Sequence, residues 1–277
     1  MRMLLLIFLF VALYTSSIPA WSTNIDIRPI PDLPLKNIPP PSAPDSSSLK
    51  GGRQVSLGSG IGYAPRYDGS ANDQLRFLPL LEASYNDGKF FVSPLRGIGY
   101  NFSDEKLTQY GMRLTLGRGR AENVDSRLYG MGDIAYVPEA GLFFNRRLGL
   151  AYISSAITTG SHGSHAELGG GIGFPLSAAD RLRLGVNLNW GDSQYTQTYF
   201  GITTEQAAAS GNVLTAYASN SGIIDYALTA NWGHNYNKKW FSNAGCSYKW
   251  LTGSAKLSPL TQRSTMISFN FLLGYRF

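Results

Sequence analysis

The 277-residue sequence is poor in several features that common protein classes need. Its single cysteine, Cys246, excludes a disulfide scaffold and any multi-cysteine zinc or iron–sulfur site. After residue 20, no apolar run approaches the roughly 18 residues that a membrane-spanning helix requires. Charged residues make up only 15% and the net charge of +6 is scattered, so no nucleic-acid partner is expected. The 31 glycines and the aromatic content of 13% favour an exported all-β protein over a disordered chain.

The first twenty residues predict export. Met1 and Arg2 form a short positive start, residues 3–14 are an unbroken apolar run, and a more polar stretch ends at Ala20. This pattern indicates a signal peptide over residues 1–20. The alternative, an N-terminal anchor helix, would need a longer apolar run than these twelve residues.

A change of composition near residue 51 indicates a domain boundary. Eight of the fourteen prolines lie in residues 1–50, and none of the thirty-one glycines does. We expect residues 21–52 to be an extended, proline-rich periplasmic tether. Its role is either a docking strand for a periplasmic partner or a spacer.

Residues 53–277 are dominated by alternation with a period of two, which is typical of β-strands with one apolar face. Residues 53–63, 109–117, 181–190 and 224–232 all follow it. In the last stretch the apolar face runs through Ile224, Tyr226, Leu228, Ala230 and Trp232. The other face is rich in Gly, Asn, Ser, Thr and Arg, and aromatic residues lie near strand ends. These features favour a transmembrane antiparallel β-barrel over a soluble sandwich.

The C-terminal residues support the same choice. They present an uninterrupted apolar face that ends on an aromatic residue: Ile267, Phe269, Phe271, Leu273, Tyr275 and Phe277. Outer-membrane barrels commonly end this way, and the barrel assembly machinery reads the terminal strand. We therefore expect Phe269, Phe271, Leu273, Tyr275 and Phe277 to act as an assembly signal and the barrel to contact outer-membrane lipid.

The connections predict the strand count. Short turns are expected at 86–88, 103–106, 145–147, 177–180 and 237–239, and longer loops at 64–74, 119–132, 158–165, 192–215 and 252–264. With a further turn at 94–97, the count is twelve strands. All short turns then fall on the side of both termini, which predicts periplasmic termini. Pro79 and Pro138 fall inside expected strands, where we expect local bulges.

Six charged residues are expected to face the lumen: Arg113, Glu139, Glu167, Arg183, Asp225 and Lys249. They would either tune a pore or form a salt-bridged plug. The 192–215 loop carries Tyr195, Tyr199 and Phe200, and then a short helix beginning near Thr204. We expect this loop to fold into the barrel mouth rather than expose its aromatic residues for adhesion.

No residues predict a catalytic, metal or cofactor site. Ser161, His162, Ser164 and His165 pair hydroxyls with imidazoles, but a glycine-flanked loop supplies no rigid frame for a nucleophile and its base. His162, His165 and the distant His234 fix no metal geometry. The run 169–173 (GGGIG) lacks the helix and lysine of a phosphate loop, and suits a crowded lumen face. Cys246 falls on an apolar face as a small hydrophobic residue.

The sequence resembles the MipA/OmpV family of Gram-negative outer-membrane proteins. The similar segments are residues 62–65 (GYAP), 67–70 (YDGS), 77–80 (FLPL), 96–100 (RGIGY), 132–134 (GDI) and 274–277 (GYRF). The most specific one is the signature loop Gln197, Thr198, Tyr199, Phe200 and Gly201. The resemblance spans residues 53–277 and implies a barrel in the cell outer membrane. It also implies a partner, because the founding name denotes a protein that interacts with a lytic transglycosylase and scaffolds murein synthesis and hydrolysis.

Two classes of function follow. The first is a non-enzymatic interaction or scaffold protein that docks cell-wall machinery, such as a lytic transglycosylase, on its periplasmic side. The second is a narrow channel, surface receptor or adhesin that acts through its lumen and extracellular loops.

Overall fold

The computed structural model describes residues 52–105 and 107–277, so the expected signal peptide and most of the expected tether lie outside the described residues. Each strand pairs antiparallel with its neighbours in the chain, and the twelfth pairs with the first, which closes a barrel. The strands are β1 (Gln54–Pro65), β2 (Asp73–Tyr85), β3 (Phe90–Ser93), β4 (Gly97–Asn101), β5 (Thr108–Leu116), β6 (Pro138–Leu148), β7 (Ala151–Gly160), β8 (Gly163–Pro175), β9 (Asp180–Gly191), β10 (Gly222–Asn235), β11 (Trp240–Leu251) and β12 (Thr265–Arg276). The expected twelve-stranded barrel is confirmed.

Alternation along each strand sorts side chains between the outer surface and the lumen. In β12, Phe269 and Phe271 are exposed on the outside, whereas Ser268 and Asn270 are buried inside. The outer surface carries large apolar side chains on every long strand, and only lipid can cover such a belt. In the described part of the chain, no helix has the length and apolar character to cross a bilayer.

Glycines on the lumen face allow close approach of strands and side chains. A Cβ added to Gly60 in β1 would lie 2.0 Å from the carbonyl oxygen of Phe271 in β12. A Cβ added to Gly169 in β8 would lie 2.5 Å from the Asn187 amide oxygen and 2.6 Å from the Ser154 hydroxyl. The glycine run 169–173 therefore starts on a crowded lumen wall, as its spacing predicts.

The barrel has two unlike ends. At one end, here called the turn end, lie the start of β1, the end of β12 and the connections 86–89, 102–107, 149–150, 176–179 and 236–239. At the other, here called the loop end, lie the connections 66–72, 94–96, 117–137, 161–162, 192–221 and 252–264. The expected separation of short turns from long loops is thus present, except that two loop-end connections are short.

The expected long loop at 158–165 is wrong. Strands β7 and β8 continue until Gly160 pairs with Gly163, so only residues 161–162 turn the chain. Gly163 has a φ of +101°, which lets the hairpin close this tightly. The expected turn at 145–147 is also misplaced, because β6 runs to Leu148 and the chain turns at 149–150.

The expected turn at 94–97 is confirmed, and it leaves β3 and β4 very short. As a result β2 pairs with β3 only over Ala83–Tyr85, while it pairs with β1 along its whole length. The register through Pro79 is unbroken, so the expected bulge there is wrong. Pro79 lies where β2 has a strand partner on one side only, and proline is tolerated at such an edge. Pro138 causes no bulge either, because it is the first residue of β6.

One residue expected on the outer face of β10 lies inside. The register of β10 against β9 shifts between Ile223 and Asp225, so Ile224 is an extra, bulged residue. Its side chain is buried in the hydrophobic cluster at the barrel mouth instead of facing lipid.

The loop end contains three short helices: α1 (Ser193–Phe200), α2 (Thr204–Ala209) and α3 (Gly253–Leu257). The aromatic segment expected to precede a helix is therefore itself helical. Helix α2 is capped by Thr203 rather than by Thr204, through a reciprocal pair of hydrogen bonds with Gln206. Two 3-10 turns, Glu122–Val124 and Ser126–Leu128, lie in the 117–137 loop.

Candidate functional site

The barrel mouth at the loop end brings together most of the charges that we expected in the lumen. Five of the six residues are less than a tenth exposed: Arg113, Glu139, Glu167, Asp225 and Lys249. Arg113 lies 3.8 Å from Glu167, and Lys249 lies 3.9 Å from Asp225. The Asn189 amide also donates to Asp225 at 2.7 Å. Arg183 lies apart from this set, toward the turn end, and is only partly buried.

Two further charges complete this group, and sequence reasoning missed both. Asp68, in the 66–72 loop, lies 3.2 Å from the Lys249 ammonium and 2.5 Å from the Arg118 guanidinium. Loop charges are usually solvated, so nothing in their local pattern indicated burial. We call Asp68, Arg113, Arg118, Glu167, Asp225 and Lys249 the mouth network. Its three acidic and three basic groups balance, which offsets the cost of burying each charge.

Glu139 lies on the adjacent wall, on β6. A Cβ on Gly117 or Gly160 would come within 2.5 Å or 2.8 Å of its side chain. These two glycines therefore leave the space that the buried carboxylate occupies.

Helix α1 covers the mouth network. Asp192 caps it, accepting hydrogen bonds from the amides of Tyr195 at 2.7 Å and Ser164 at 2.8 Å. The second bond joins the helix to the β7–β8 hairpin. The side chains of Tyr195, Tyr199 and Phe200 are buried, and they form one hydrophobic cluster with Ile224, Leu251, Ala255 and Met266.

The five residues of the family-like signature each have a distinct environment in or after α1. The Gln197 amide oxygen accepts from the Ser219 amide at 2.8 Å, and Thr198 donates to the Gln194 carbonyl at 2.8 Å. The Tyr199 hydroxyl donates to the Arg118 carbonyl at 2.8 Å, and the Phe200 carbonyl accepts from Ser258 at 2.6 Å. A Cβ at position 201 would lie 2.1 Å from the Gln197 amide nitrogen, so a larger residue here would displace the Gln197 side chain.

A second hydrophobic cluster joins four loops to one another: Tyr67, Leu128, Met131, Ile202, Leu214 and Leu260. Side chains of one loop also bond the backbone of another. Tyr67 donates to the Leu260 carbonyl at 2.8 Å, and Arg127 donates to the Pro259 carbonyl at 2.7 Å. We call the loops 66–72, 117–137, 192–221 and 252–264 together the loop cap. Because it has its own apolar core, the loop cap is a folded layer rather than a set of separate loops.

Arg120 and two tyrosines lie inside the loop cap. Arg120 donates to the Tyr199 carbonyl at 2.8 Å, and its guanidinium lies 6.0 Å from the centre of the Tyr67 ring. Burial lowers the pKa of Arg120 to about 10 and raises the pKa of both Tyr67 and Tyr199 above the usual tyrosine range. Both tyrosines are therefore neutral donors at physiological pH, while Arg120 keeps its charge.

The space left between α1 and the mouth network is small. A cavity of about 20 Å³ is lined by Asp68, Glu167, Asp225 and the α1 aromatic residues. This volume holds about one ordered water molecule. The pocket beneath α1 therefore has room for little more than one water molecule.

The hydroxyls and imidazoles of the β7–β8 hairpin do not form a catalytic pair. The Ser164 hydroxyl donates to Thr159 at 3.0 Å, the His162 Nδ1 lies 3.3 Å from the Tyr199 hydroxyl, and the His165 Nε2 lies 3.9 Å from Glu167. Burial lowers the pKa of His162, so its ring is neutral at pH 7. No group of three or more potential metal ligands occurs among the residues that the structure describes.

The residues of the expected assembly signal lie on the outer face of β12. Phe269, Phe271 and Leu273 are each more than two-fifths exposed there. The Tyr275 and Phe277 rings meet edge to face with centres 5.0 Å apart, and the Phe277 amide donates to the Val55 carbonyl at 3.0 Å. The last residue therefore belongs to the β1–β12 seam. Cys246, on the outer face of β11, is half-buried and forms no disulfide.

Several solved membrane-protein structures have a similar barrel at very low identity. The NanC porin shares 5% identity, over 80% of this chain and 98% of that chain, with a TM-score of 0.43. The CymD monoaromatic hydrocarbon channel shares 9%, over 82% and 88%, with a TM-score of 0.43. The Pseudomonas putida toluene transporter TodX shares 9%, over 83% and 90%, with a TM-score of 0.39. Likeness at this level says nothing about what this chain transports or binds.

Among curated proteins, none matches the chain. The family described as MltA-interacting protein MipA does match, over residues 57–277. That range runs from Leu57, the fourth residue of β1, to Phe277, and so includes the whole loop cap and mouth network. It confirms the family resemblance of the barrel segment. The protein is thus an outer-membrane β-barrel, and the chain belongs to the MipA family.

Proposed function

We propose that this barrel is a non-enzymatic scaffold that docks a lytic transglycosylase, the kind of partner that the family description names. The observation that carries the proposal is the closed loop end. The loop cap has its own apolar core, and α1 leaves room for about one water molecule beneath it. A lumen closed in this way suits an interaction protein better than a wide diffusion pore.

The docking surface of this proposal is the turn end together with the proline-rich segment. Bacterial barrels place short turns in the periplasm and longer loops outside. With that orientation the turn end faces the cell wall, and residues 21–50 enter the periplasm beside it. The 236–239 turn presents the exposed Lys238 and Lys239 on this side.

Binding of purified transglycosylase to the detergent-solubilised mature barrel tests the proposal. We expect deletion of residues 21–50, or the double substitution K238E/K239E, to weaken binding. The matched control is V213E at the loop end, where Val213 is 73% exposed, and it should bind normally. Binding that is absent in the mature barrel, or that only V213E weakens, would contradict docking at the turn end.

The orientation has its own test. A protease site inserted at 211–213, the exposed end of the long loop, should be cut on intact cells. The same site at 237–239 should be cut only after the outer membrane is opened. The reverse pattern would place the turn end outside and rule out periplasmic docking there.

A narrow channel is the second candidate, and the charged lumen favours it. The mouth network places buried ionised groups at the pocket beneath α1. Single-channel recording in planar bilayers separates the two candidates, because the scaffold needs no conductance and the channel does.

A further inference from the structure

Part of β2 does not follow the alternation of apolar and polar residues. Residues 77–81 (FLPLL) are apolar at every position, so the lumen face of β2 is apolar here as well as its outer face. Phe77 is 39% exposed on the outside, whereas Leu78 is 5% exposed on the inside. A strand with water on one side and lipid on the other alternates. A continuous apolar run is typical of a strand with apolar surroundings on both sides.

The lumen wall beside this run is also apolar. In the register of β1 and β2, Leu78 lies opposite Gly60 and Leu80 lies opposite Gly58. A Cβ added at Gly60 would lie 2.6 Å from the side chain of Leu272, a buried lumen residue of β12. We call Leu78, Leu80 and Leu272 the inner patch. The two glycines leave the wall between its members without side chains.

The barrel wall next to the inner patch has a break. Residues 73–82 of β2 pair with β1 only, because the β3–β4 hairpin ends lower down, nearer the turn end. The tip of that hairpin is fixed to β2, since Arg96 donates to the Glu82 carboxylate at 2.8 Å and Ser93 donates to it as well. On the other side of the break, β5 pairs with β4 only as far as Leu114.

The loop cap borders the break at the loop end. There Arg118, just after β5, lies 2.5 Å from Asp68, and Asn72, just before β2, donates to Asp125 at 3.0 Å. Among the described residues, the break is thus framed by β2, the hairpin tip, β5 and the loop cap. We call this framed break the β2 window.

The lipid-covered outer surface continues to both sides of the β2 window. Leu75 on β2 and Leu114 and Leu116 on β5 are each more than three-fifths exposed on the outer face. The hydrocarbon that covers this surface is therefore next to the window. A phospholipid can place one of its chains through such a gap while the other stays in the bilayer.

The edge of β2 suits a hydrocarbon chain better than a strand from another protein. Pro79 lies in the middle of this edge and has no N–H, so an added strand could not form a continuous ladder there. The same proline leaves one backbone donor fewer for hydrocarbon to leave unsatisfied. We infer that the β2 window is a binding site for the acyl chain of a membrane phospholipid, which passes between β2 and β5 and packs on the inner patch.

Photo-crosslinking tests the inference, with the full mature barrel in vesicles of phosphatidylethanolamine and phosphatidylglycerol. A photoreactive phenylalanine derivative replaces Leu80, and mass spectrometry detects protein–lipid adducts. The matched control is the same replacement of Thr229, a buried lumen residue in the middle of β10. Replacement of the outward Leu75 gives the yield for direct lipid contact. We expect the adduct yield at position 80 to exceed that at position 229 by tenfold or more and to approach that at position 75.

Native mass spectrometry of the purified barrel gives a second measurement. We expect the wild type to retain a phospholipid in detergent and L78N/L80N to lose it, because the inner patch becomes polar. The control L75N/F77N changes the outer face of the same strand and should keep the lipid. Equal adduct yields at positions 80 and 229, adducts at position 80 with a second copy of the barrel, or equal lipid loss in both double variants would overturn the inference. If the variants fail to fold, the wild type still decides, since a wild-type barrel that retains no phospholipid overturns the site.

Discussion

The two ends of the lumen differ in how deeply their charged residues are buried. At the loop end, three acidic and three basic groups form the mouth network, and α1 seals it beneath a folded cap. At the turn end, Arg181 and Arg183 line a cleft with Asn235 and Phe241, and the Arg276 guanidinium lies 4.2 Å from the centre of the Phe241 ring. The same barrel wall surrounds both groups.

The difference is one of packing around the charges. A buried, balanced network is damaged when one partner is removed, because the other charge is then left buried and uncompensated. The mouth network therefore holds the loop end together, whereas Arg181 and Arg183 at the turn end are only partly buried.

The largest expected effect concerns assembly of the barrel in the outer membrane, on which both ends depend. Phe277→Ser should leave export intact but remove most folded barrel from the outer membrane, because the assembly machinery loses the terminal aromatic residue. Heat-modifiable mobility of the membrane fraction measures this. The control is F174S, which removes an outward phenylalanine near the turn end of β8, 37% exposed. Equal yields from both variants would show that Phe277 is only one more lipid-facing side chain.

The next effect breaks the cap at the loop end. In Y199S/F200S, two side chains that are 8% and 2% exposed are lost from the α1 cluster. Truncation of a buried aromatic residue costs about 3–5 kcal/mol, so we expect a large fall in thermal stability together with raised conductance. V213S, at a highly exposed position of the same loop, should change neither. A double variant with unchanged stability and conductance would mean that α1 does not seal the lumen.

A smaller effect compares the loss of one charged side chain at each end of the barrel. Lys249→Met leaves Asp68 and Asp225 without their shared cation, and breaking a buried pair costs about 3–5 kcal/mol. Lys238→Met removes an exposed charge from the 236–239 turn at the other end, so it should leave thermal stability nearly unchanged. Thermal unfolding of both variants at low salt gives the comparison. Shifts of the same sign and size would remove the distinction between the ends.

The smallest effect is an acid dependence confined to the loop cap. Burial alone would raise the pKa of Asp125, but hydrogen bonds from Asn72, the Arg127 amide and Ser70 hold it below its usual value. Because the folded-state pKa is depressed, the stability it contributes is present above the unfolded pKa of about 3.9 and is lost as the pH falls through the lower, folded value.

Thermal unfolding between pH 6 and pH 2 checks this dependence. D125N should be less stable than the wild type at pH 6. The difference in unfolding temperature between the two proteins should shrink as the pH falls toward 2. A gap that stays constant over this range would show that the charge of Asp125 contributes nothing to the cap.

Much of the barrel could be predicted from the sequence because strand alternation is a local signal. The period of two correctly predicts which side chains of β9, β11 and β12 face lipid. The turn at 94–97 correctly predicts the number of strands. The errors came where backbone geometry, not side-chain pattern, decides. The positive φ of Gly163 closes a two-residue hairpin where a loop was expected, and the bulge in β10 turns Ile224 inward.

The candidate site was harder to predict because two of its six charged residues come from loops. The strand positions of Lys249 and Asp225 follow from alternation, but Asp68 and Arg118 reach them only through the fold of the loop cap. The inward folding of the 192–215 segment was predictable, since three aromatic residues need cover. Its helical form was not, because α1 depends on the cap that Asp192 provides and on contacts with distant loops.

The short β3–β4 hairpin has a consequence for how the wall opens. Within the described residues, Asp73–Glu82 of β2 pairs with β1 only. This stretch therefore has backbone hydrogen bonds to one neighbouring strand, whereas other long strands of the barrel pair on both sides. Hydrogen–deuterium exchange in this stretch requires β2 to separate from one neighbouring strand only. In β10, exchange requires separation from both β9 and β11. We therefore expect the slowest-exchanging amides in β8–β12. We expect the barrel wall to open first at Asp73–Glu82 of β2.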